Sequence, residues 1–192
     1  MLENLVLASN SPRRMELLRT CQINFEITNH SFDEDAVTEK NTTKFAKILA
    51  YGKAASVANQ KEYSNKFVLG VDTIVVYKNK ILGKPKDSIE AEKNIRMLSG
   101  KTHKVISGIA LVNNQKNISL VTHQTSYVTF EKINEEFIKF YLDNIHWKGY
   151  AGGYAIQGIF SLVVKKIKGS YTNIVGLPME KLYEMITELK RT

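Results

Sequence analysis

The run from Phe67 to Tyr77, FVLGVDTIVVY, constrains the fold of this chain more than any other stretch. Apolar residues fill it, and only the pair Asp72-Thr73 interrupts it. It is too short to cross a bilayer, which takes about 20 apolar residues as a helix. It therefore reads as a strand, and the rest of the chain has to supply the sheet around it.

The other segments supply one. Leu5 to Ala8 reads as a buried strand and Pro12 to Thr20 as a helix. Ile23 to Ile27 reads as a strand, and Asn29 to Asn41 as a polar, acidic loop. Thr43 to Asn59 carries Phe45, Ile48, Leu49 and Ala55 at helical spacing. Lys78-Asn79-Lys80 turns the chain into a short strand at Ile81-Leu82. Ser88 to Leu98 reads as a helix stopped by Gly100, a usual place for a helix-ending glycine. Val105 to Val112 and Ile118 to Phe130 are β-rich and read as a long antiparallel hairpin turning near Asn113-Asn114. A helix over Asn134 to Asn144, a strand over Phe160 to Lys166 and a helix over Met179 to Leu189 complete the pattern. Strands and helices mix without strict βαβ repetition. The expectation is an α/β fold with a mixed sheet rather than a doubly wound one. Three prolines, none in a linker, mark no boundary, so one domain over residues 1–192 is expected.

Composition narrows the class. At 192 residues and 43% hydrophobic, the chain is long and apolar enough for a real core. The single cysteine, Cys21, excludes an internal disulfide and a cysteine-based zinc site. The N-terminal apolar stretch is short and preceded by Glu3, unlike a signal peptide. A cytoplasmic protein with no membrane span is expected. Net charge is +8, from 22 lysines and 5 arginines against 19 acidic residues. The lysines are spread along the chain, which favours a solvated surface over a nucleic-acid footprint. No basic stripe interleaved with aromatics appears.

Four places carry candidate chemistry. In Ser9-Asn10-Ser11-Pro12-Arg13-Arg14, a strand ends, a polar cap follows and proline takes the first helical position. Free amides at such a start favour anions. Two arginines in the first turn oppose the helix dipole, a broken local rule that a bound polyanion would compensate. Asp72 sits in the middle of an apolar strand, where an unpaired carboxylate is costly. It needs a partner, a metal or a cleft; it can ligate Mg²⁺ or accept a proton from water. Otherwise it caps a strand end or closes a turn. In Leu82-Gly83-Lys84-Pro85, glycine allows close backbone approach and Lys84 offers a point charge to phosphate. Lys53, on the second helix, is a weaker candidate, since most helix lysines are solvated. In GYAGGYAIQG, residues 149–158, dense glycines suggest a tight loop a ligand can approach, and the Gln157 amide could read a base edge. The other reading is a strained turn.

Several motifs fail. Gly100-Lys101-Thr102 ends like a P-loop, but the glycine that motif requires falls on Ile95. His30, His103, His123 and His146 show no metal-binding spacing and read as structural or exposed. No GxSxG elbow is present.

In order, LASNSPRRMELL, GVDTIVV, LGKPKD, LSGKTHKVISGIAL, AGGYAIQG and GSYTNIVGLPM resemble the Maf family of nucleoside triphosphate pyrophosphatases over essentially the whole chain. The resemblance implies an elongated mixed sheet with flanking helices. It implies two lobes around a central cleft, similar to inosine triphosphate pyrophosphatases. The implied reaction releases pyrophosphate from a nucleoside triphosphate and uses a divalent metal cation, Mg²⁺ or Mn²⁺. The DT pair, SGKTH and AIQG resemble the branch acting on dTTP and UTP rather than the one acting on 7-methyl-GTP. By this resemblance Asp72 would activate water. Arg13, Thr73 and Gln157 would bear on pyrimidine choice. Ser9, Arg14, Lys53 and Lys84 would hold phosphates, and Glu34, in the acidic loop 33–35, would help bind metal. A homodimer is plausible for the family. Tyr150 stands where the family commonly has lysine, with Lys148 two residues earlier.

Two other functions fit parts of the sequence. The charge of +8 and the family's link to septum inhibition suit a non-catalytic nucleotide- or RNA-binding regulator of cell division. A general phosphatase would release orthophosphate instead of pyrophosphate.

Overall fold

A computed structural model describes residues 4–144 and 147–191. Glu3 and His146, both weighed in the sequence, lie outside them. The described elements are β1 (Leu5–Leu7), α1 (Pro12–Thr20), β2 (Phe25–Ile27), α2 (Thr42–Ala58), β3 (Phe67–Tyr77), β4 (Lys80–Leu82) and α3 (Ser88–Leu98). They continue with β5 (Thr102–Asn113), β6 (Ile118–Phe130), α4 (Glu135–Asn144), β7 (Val164–Lys168), α5 (Tyr171–Val175) and α6 (Met179–Leu189). The mixed α/β class expected from the sequence is the one observed. No described helix is long and apolar enough to cross a membrane.

One sheet of seven strands runs β2-β1-β3-β5-β6-β7, with β4 also on β3. Pairs β1–β2 and β1–β3 are parallel, and the remaining pairs are antiparallel. The spatial order 2-1-3 makes β1 a switch point. The chain leaves β1 through α1 toward β2 on one side, then returns through α2 to β3 on the other. In such sheets the crevice beyond the carboxyl ends of the diverging strands is the usual ligand site.

β3, β5 and β6 are 11, 12 and 13 residues long and give the sheet its length. Along β1 the apolar side chains alternate faces. Leu5 and Leu7 join Leu18 and Leu182 on one side; Val6 and Ala8 join Ala50 and Ala54 on the other. A separate apolar cluster gathers Ile95, Phe130, Tyr141, Tyr154 and Phe160 around the other half of the sheet.

Two expectations need correcting. Asp72-Thr73 does not interrupt β3, because both residues keep antiparallel partners, Gly108 and Ser107, on β5. Residues 158–163 form 3-10 turns rather than strand; the strand starts at Val164. Gly158, with φ of 75°, opens that turn, and a 3-10 turn hides in sequence because its apolar spacing mimics a short strand. The short α5 was missed for the same reason, being five residues with no full helical period.

Candidate active site

β3 carries a gap on one edge. Its first half pairs with β1 as far as Leu69, and its last residues pair with β4 from Val75. Between them, among the described residues, residues 70–74 have no strand on that side, and Asp72 lies in the gap. The segment leaving β1 passes this opening and starts α1. A cavity of about 590 Å³ fills the space, a size suited to a small molecule. Ser9, Arg13, Arg14, Glu34, Lys53, Asp72, Thr73, Lys84 and Gln157 all line it. Nine candidates scattered over 149 positions of sequence thus meet in one place.

α2 brings Lys53 to Asp72. The helix is rich in alanine on its buried face, and β3 and β5 offer glycines beneath it. A Cβ on Gly70 would lie 2.1 Å from the Ala50 carbonyl oxygen, and one on Gly108 would lie 2.0 Å from that of Ala46. The helix backbone therefore rests on the sheet itself. Lys53 Nζ donates to Asp72 Oδ1 at 2.6 Å and lies 2.8 Å from Glu34 Oε2. Lys53 is only 6% exposed and Asp72 9%. Removing Lys53 would strand the buried Asp72 carboxylate, whereas neutralising Asp72 leaves Lys53 paired with Glu34. Glu34 reaches this point because the loop carrying it is pinned: the Phe32 ring packs where a Cβ on Gly52 would be, 2.4 Å from Cε2.

The resemblance implies a phosphate ligand at Lys53; in the structure its ammonium bridges two carboxylates, Asp72 and Glu34. Among the described residues, no group of three or more His, Cys, Asp or Glu could hold a metal. The donors fit Mg²⁺ or Mn²⁺ all the same, since such ions are commonly held by one or two carboxylates plus substrate phosphates and water.

The two arginines are tied down differently. Arg14 is enclosed: Nε donates to Gly176 O at 2.9 Å, Nη1 to Ser9 Oγ at 2.9 Å and Nη2 to Thr73 Oγ1 at 3.4 Å. Burial pulls its pKa down to about 10, against the opposing pull of Asp72. Thr73 Oγ1 also shares a 2.8 Å hydrogen bond with Ser107, whose hydroxyl donates to Asn173 O. Asn173 Nδ2 in turn donates to Val105 O and Ser126 Oγ. A polar chain across β3, β5, β6 and α5, buried at Ser107, Ser126 and Asn173, thus sets Arg14. Thr73 belongs to that chain: its hydroxyl accepts from Arg14 and has one proton, for which the Ser107 hydroxyl at 2.8 Å and Gly176 O at 3.3 Å compete. Arg13 is held more loosely, by Val175 O at 3.3 Å and Gly149 O at 3.5 Å, with its guanidinium 4.1 Å above the centre of the Tyr150 ring.

The rim is built from loops. Lys84 and Gln157 are exposed there, beside Lys148 and Tyr150. Ser11 takes the N-cap backbone position of α1, but its side chain caps no amide, contrary to the expected capped start.

Sequence reasoning missed several lining residues. His30 reads as structural or exposed, yet it lines the cavity with Nε2 3.6 Å from Glu34 Oε1. Burial and the nearby Lys53 hold its pKa below the usual histidine value. Asn10 and Asn29 hydrogen bond to each other at the mouth. Ser107 and Asn173 gave no signal, because nothing in sequence links them to Thr73.

A crevice at the switch point of a mixed sheet, with a carboxylate–lysine pair at its floor and arginines on its wall, defines a binding site for a polyanionic small molecule. The chain matches the family described as "Maf-like protein" over residues 4–189, and it belongs to that family. A relative from Ruminiclostridium cellulolyticum named "dTTP/UTP pyrophosphatase" is 44% identical over 190 residues, 98% of this chain and 97% of its own length. One of the same name from Alkaliphilus oremlandii is 42% identical over 94% of this chain and 93% of its own. Among solved structures, "The structure of the Staphylococcus aureus Ham1 protein" overlaps 67% of this chain and 72% of that one, with a TM-score of 0.44 and 15% identity.

Proposed function

We propose that this protein hydrolyses pyrimidine nucleoside triphosphates, dTTP and UTP foremost, to the monophosphate and pyrophosphate. The observation that carries this reading is the buried Lys53–Asp72 pair on the floor of a cavity walled by cations. The names of its Maf-like relatives point the same way. A triphosphate is a polyanion, and Arg14, Ser9 and Lys84 supply charge and donors for it. The first-turn amides of α1 face the same charge.

Asp72 is the base in this reading. Lys53 holds Oδ1, and Oδ2 takes the proton of the attacking water. The water oxygen bonds to the α-phosphorus, and the bond from that phosphorus to the α,β-bridging oxygen breaks. Pyrophosphate leaves with the bridging oxygen and its electron pair. Fixed cations aimed at that developing charge lower the barrier without reorganising. Glu34, together with substrate phosphates and water, would hold the divalent metal, Mg²⁺ or Mn²⁺, which when bound neutralises phosphate charge. Arg13 and Gln157 bear on base choice, and Thr73 acts on it through Arg14. The compartment that goes with such a substrate pool, and with the exposed free thiol of Cys21, is the cytoplasm.

The test is product analysis with purified protein and a panel of triphosphates, with and without Mg²⁺ or Mn²⁺. Metal-stimulated pyrophosphate release, strongest with dTTP and UTP, is the expected result. Orthophosphate would make it a general phosphatase. Tight nucleotide binding without pyrophosphate would make it a binding regulator.

A further inference from the structure

Arg13 stands in the first turn of α1, where the helix dipole disfavours a cation. What holds it there comes from far along the chain. Both of its backbone bonds are long, at 3.3 Å to Val175 O and 3.5 Å to Gly149 O, and alone would hold the guanidinium plane loosely. The Tyr150 ring covers one face of that plane at 4.1 Å.

Tyr150 is itself well anchored. It precedes the 3-10 turn Ala151–Gly153, and Gly152 N donates to Gly83 O at 2.9 Å. A Cβ on Gly152 would press on Val75 at 3.2 Å, and one on Gly153 on Pro85 at 3.3 Å, so this turn sits tight against β3 and the Lys84 loop. The ring is therefore a fixed surface, and Arg13 reaches it from the first turn of α1. Of five guanidinium N–H groups, two are engaged by described residues, and among those residues nothing else takes up the other three.

We propose that Tyr150 is a positioning residue for nucleotide binding: its ring fixes the plane of Arg13, so that the three remaining donors meet the oxygens of a bound nucleotide already oriented. This rests on the reading of the cavity as a nucleotide site. An arginine side chain has many rotamers, and one ordered in advance loses less freedom on binding. The hold exists before the substrate arrives and persists through the reaction, so its loss should fall on KM rather than on kcat.

The experiment measures binding of non-hydrolysable α,β-imido-dUTP by calorimetry, together with KM and kcat for dTTP, in the wild type, Tyr150→Phe and Tyr150→Leu. Leucine keeps the apolar bulk and removes the π face. The expected result is that Tyr150→Leu binds the analogue about threefold to tenfold more weakly. Its KM rises by the same factor, while Tyr150→Phe retains wild-type affinity. Tyr150→Gln, with the same expected loss, serves if the leucine variant melts early. The proposal is overturned if leucine or glutamine binds as the wild type does, if phenylalanine falls as far as leucine, or if the loss appears in kcat with KM unmoved. A wild type that neither binds the analogue nor releases pyrophosphate overturns the nucleotide reading itself, and the proposal with it. A wild type that binds normally isolates the role of Tyr150.

Discussion

The floor and the rim of the cavity are built on opposite principles. At the floor, α2 lies directly on β3 and β5, and glycines there are glycines because another backbone occupies the place of a side chain. At the rim, Gly83 and Gly149 have nothing within 4 Å of where a Cβ would stand. The floor carries the groups read here as chemical, Asp72 and Lys53, locked by packing. The rim carries Lys84 and Gln157, set on loops. A site that must place a proton acceptor accurately benefits from rigid elements under it. The part that admits and selects a ligand can be held by looser segments.

The largest effect expected from this contrast lies at the floor. Asp72→Asn should lower kcat by roughly 10²- to 10⁴-fold, the range for losing a general base, with the fold kept. Pyrophosphate release and a thermal melt measure the two separately. Wild-type turnover in this variant would remove Asp72 from the mechanism. Next comes Gly70→Ala. Its Cβ would meet the Ala50 carbonyl oxygen at 2.1 Å, and helix backbone cannot swing aside as a side chain can. A loss of about 3 kcal/mol is expected, at the upper end for overpacking, read as a drop in urea midpoint. A neutral result would mean that α2 is not seated on the sheet.

A third effect separates rim from floor by pH. His103 Nε2 shares a 2.6 Å hydrogen bond with Tyr154 OH, behind the rim segment, and burial pulls its pKa down to about 4. The unfolded chain, with an ordinary histidine near 6.5, binds that proton more readily in the window between the two values. Stability is therefore full above about pH 6.5 and falls as pH drops toward 4, by about 3 kcal/mol if this group alone titrates. His103→Gln should flatten that part of the profile. An unchanged slope would assign it to His30 or His123, whose pKa values burial also lowers.

How much of this was legible in the sequence follows the same division. The long strand, the helix starting at Pro12 and the hairpin could be read because apolar period and turn residues are local. The carboxylate in an apolar run announced Asp72, since burying it without a partner is costly. That its partner would be Lys53 was not legible, because the pairing depends on how closely α2 approaches β3, and only the sheet glycines permit that. The Ser107–Asn173 chain behind Arg14 was hidden for a similar reason. Buried serines and asparagines carry no pattern of their own; their meaning comes from residues brought beside them by the fold. Tyr150 could be seen as a missing cation, but not as a surface for Arg13.

The smallest effect sharpens the comparison most. Gly83 precedes Lys84, where glycine allows close backbone approach, and nothing lies within 4 Å of where its Cβ would stand. Gly83→Ala should therefore change stability by no more than about 0.5 kcal/mol, as for an ordinary surface substitution. If a triphosphate passes against this backbone, the added methyl will still raise KM for dTTP a few fold, with kcat and the urea midpoint unmoved. That split would make Gly83 a glycine kept for ligand and Gly70 a glycine kept for packing. A stability loss above about 1 kcal/mol would contradict it, because the rim would then be as tightly packed as the floor.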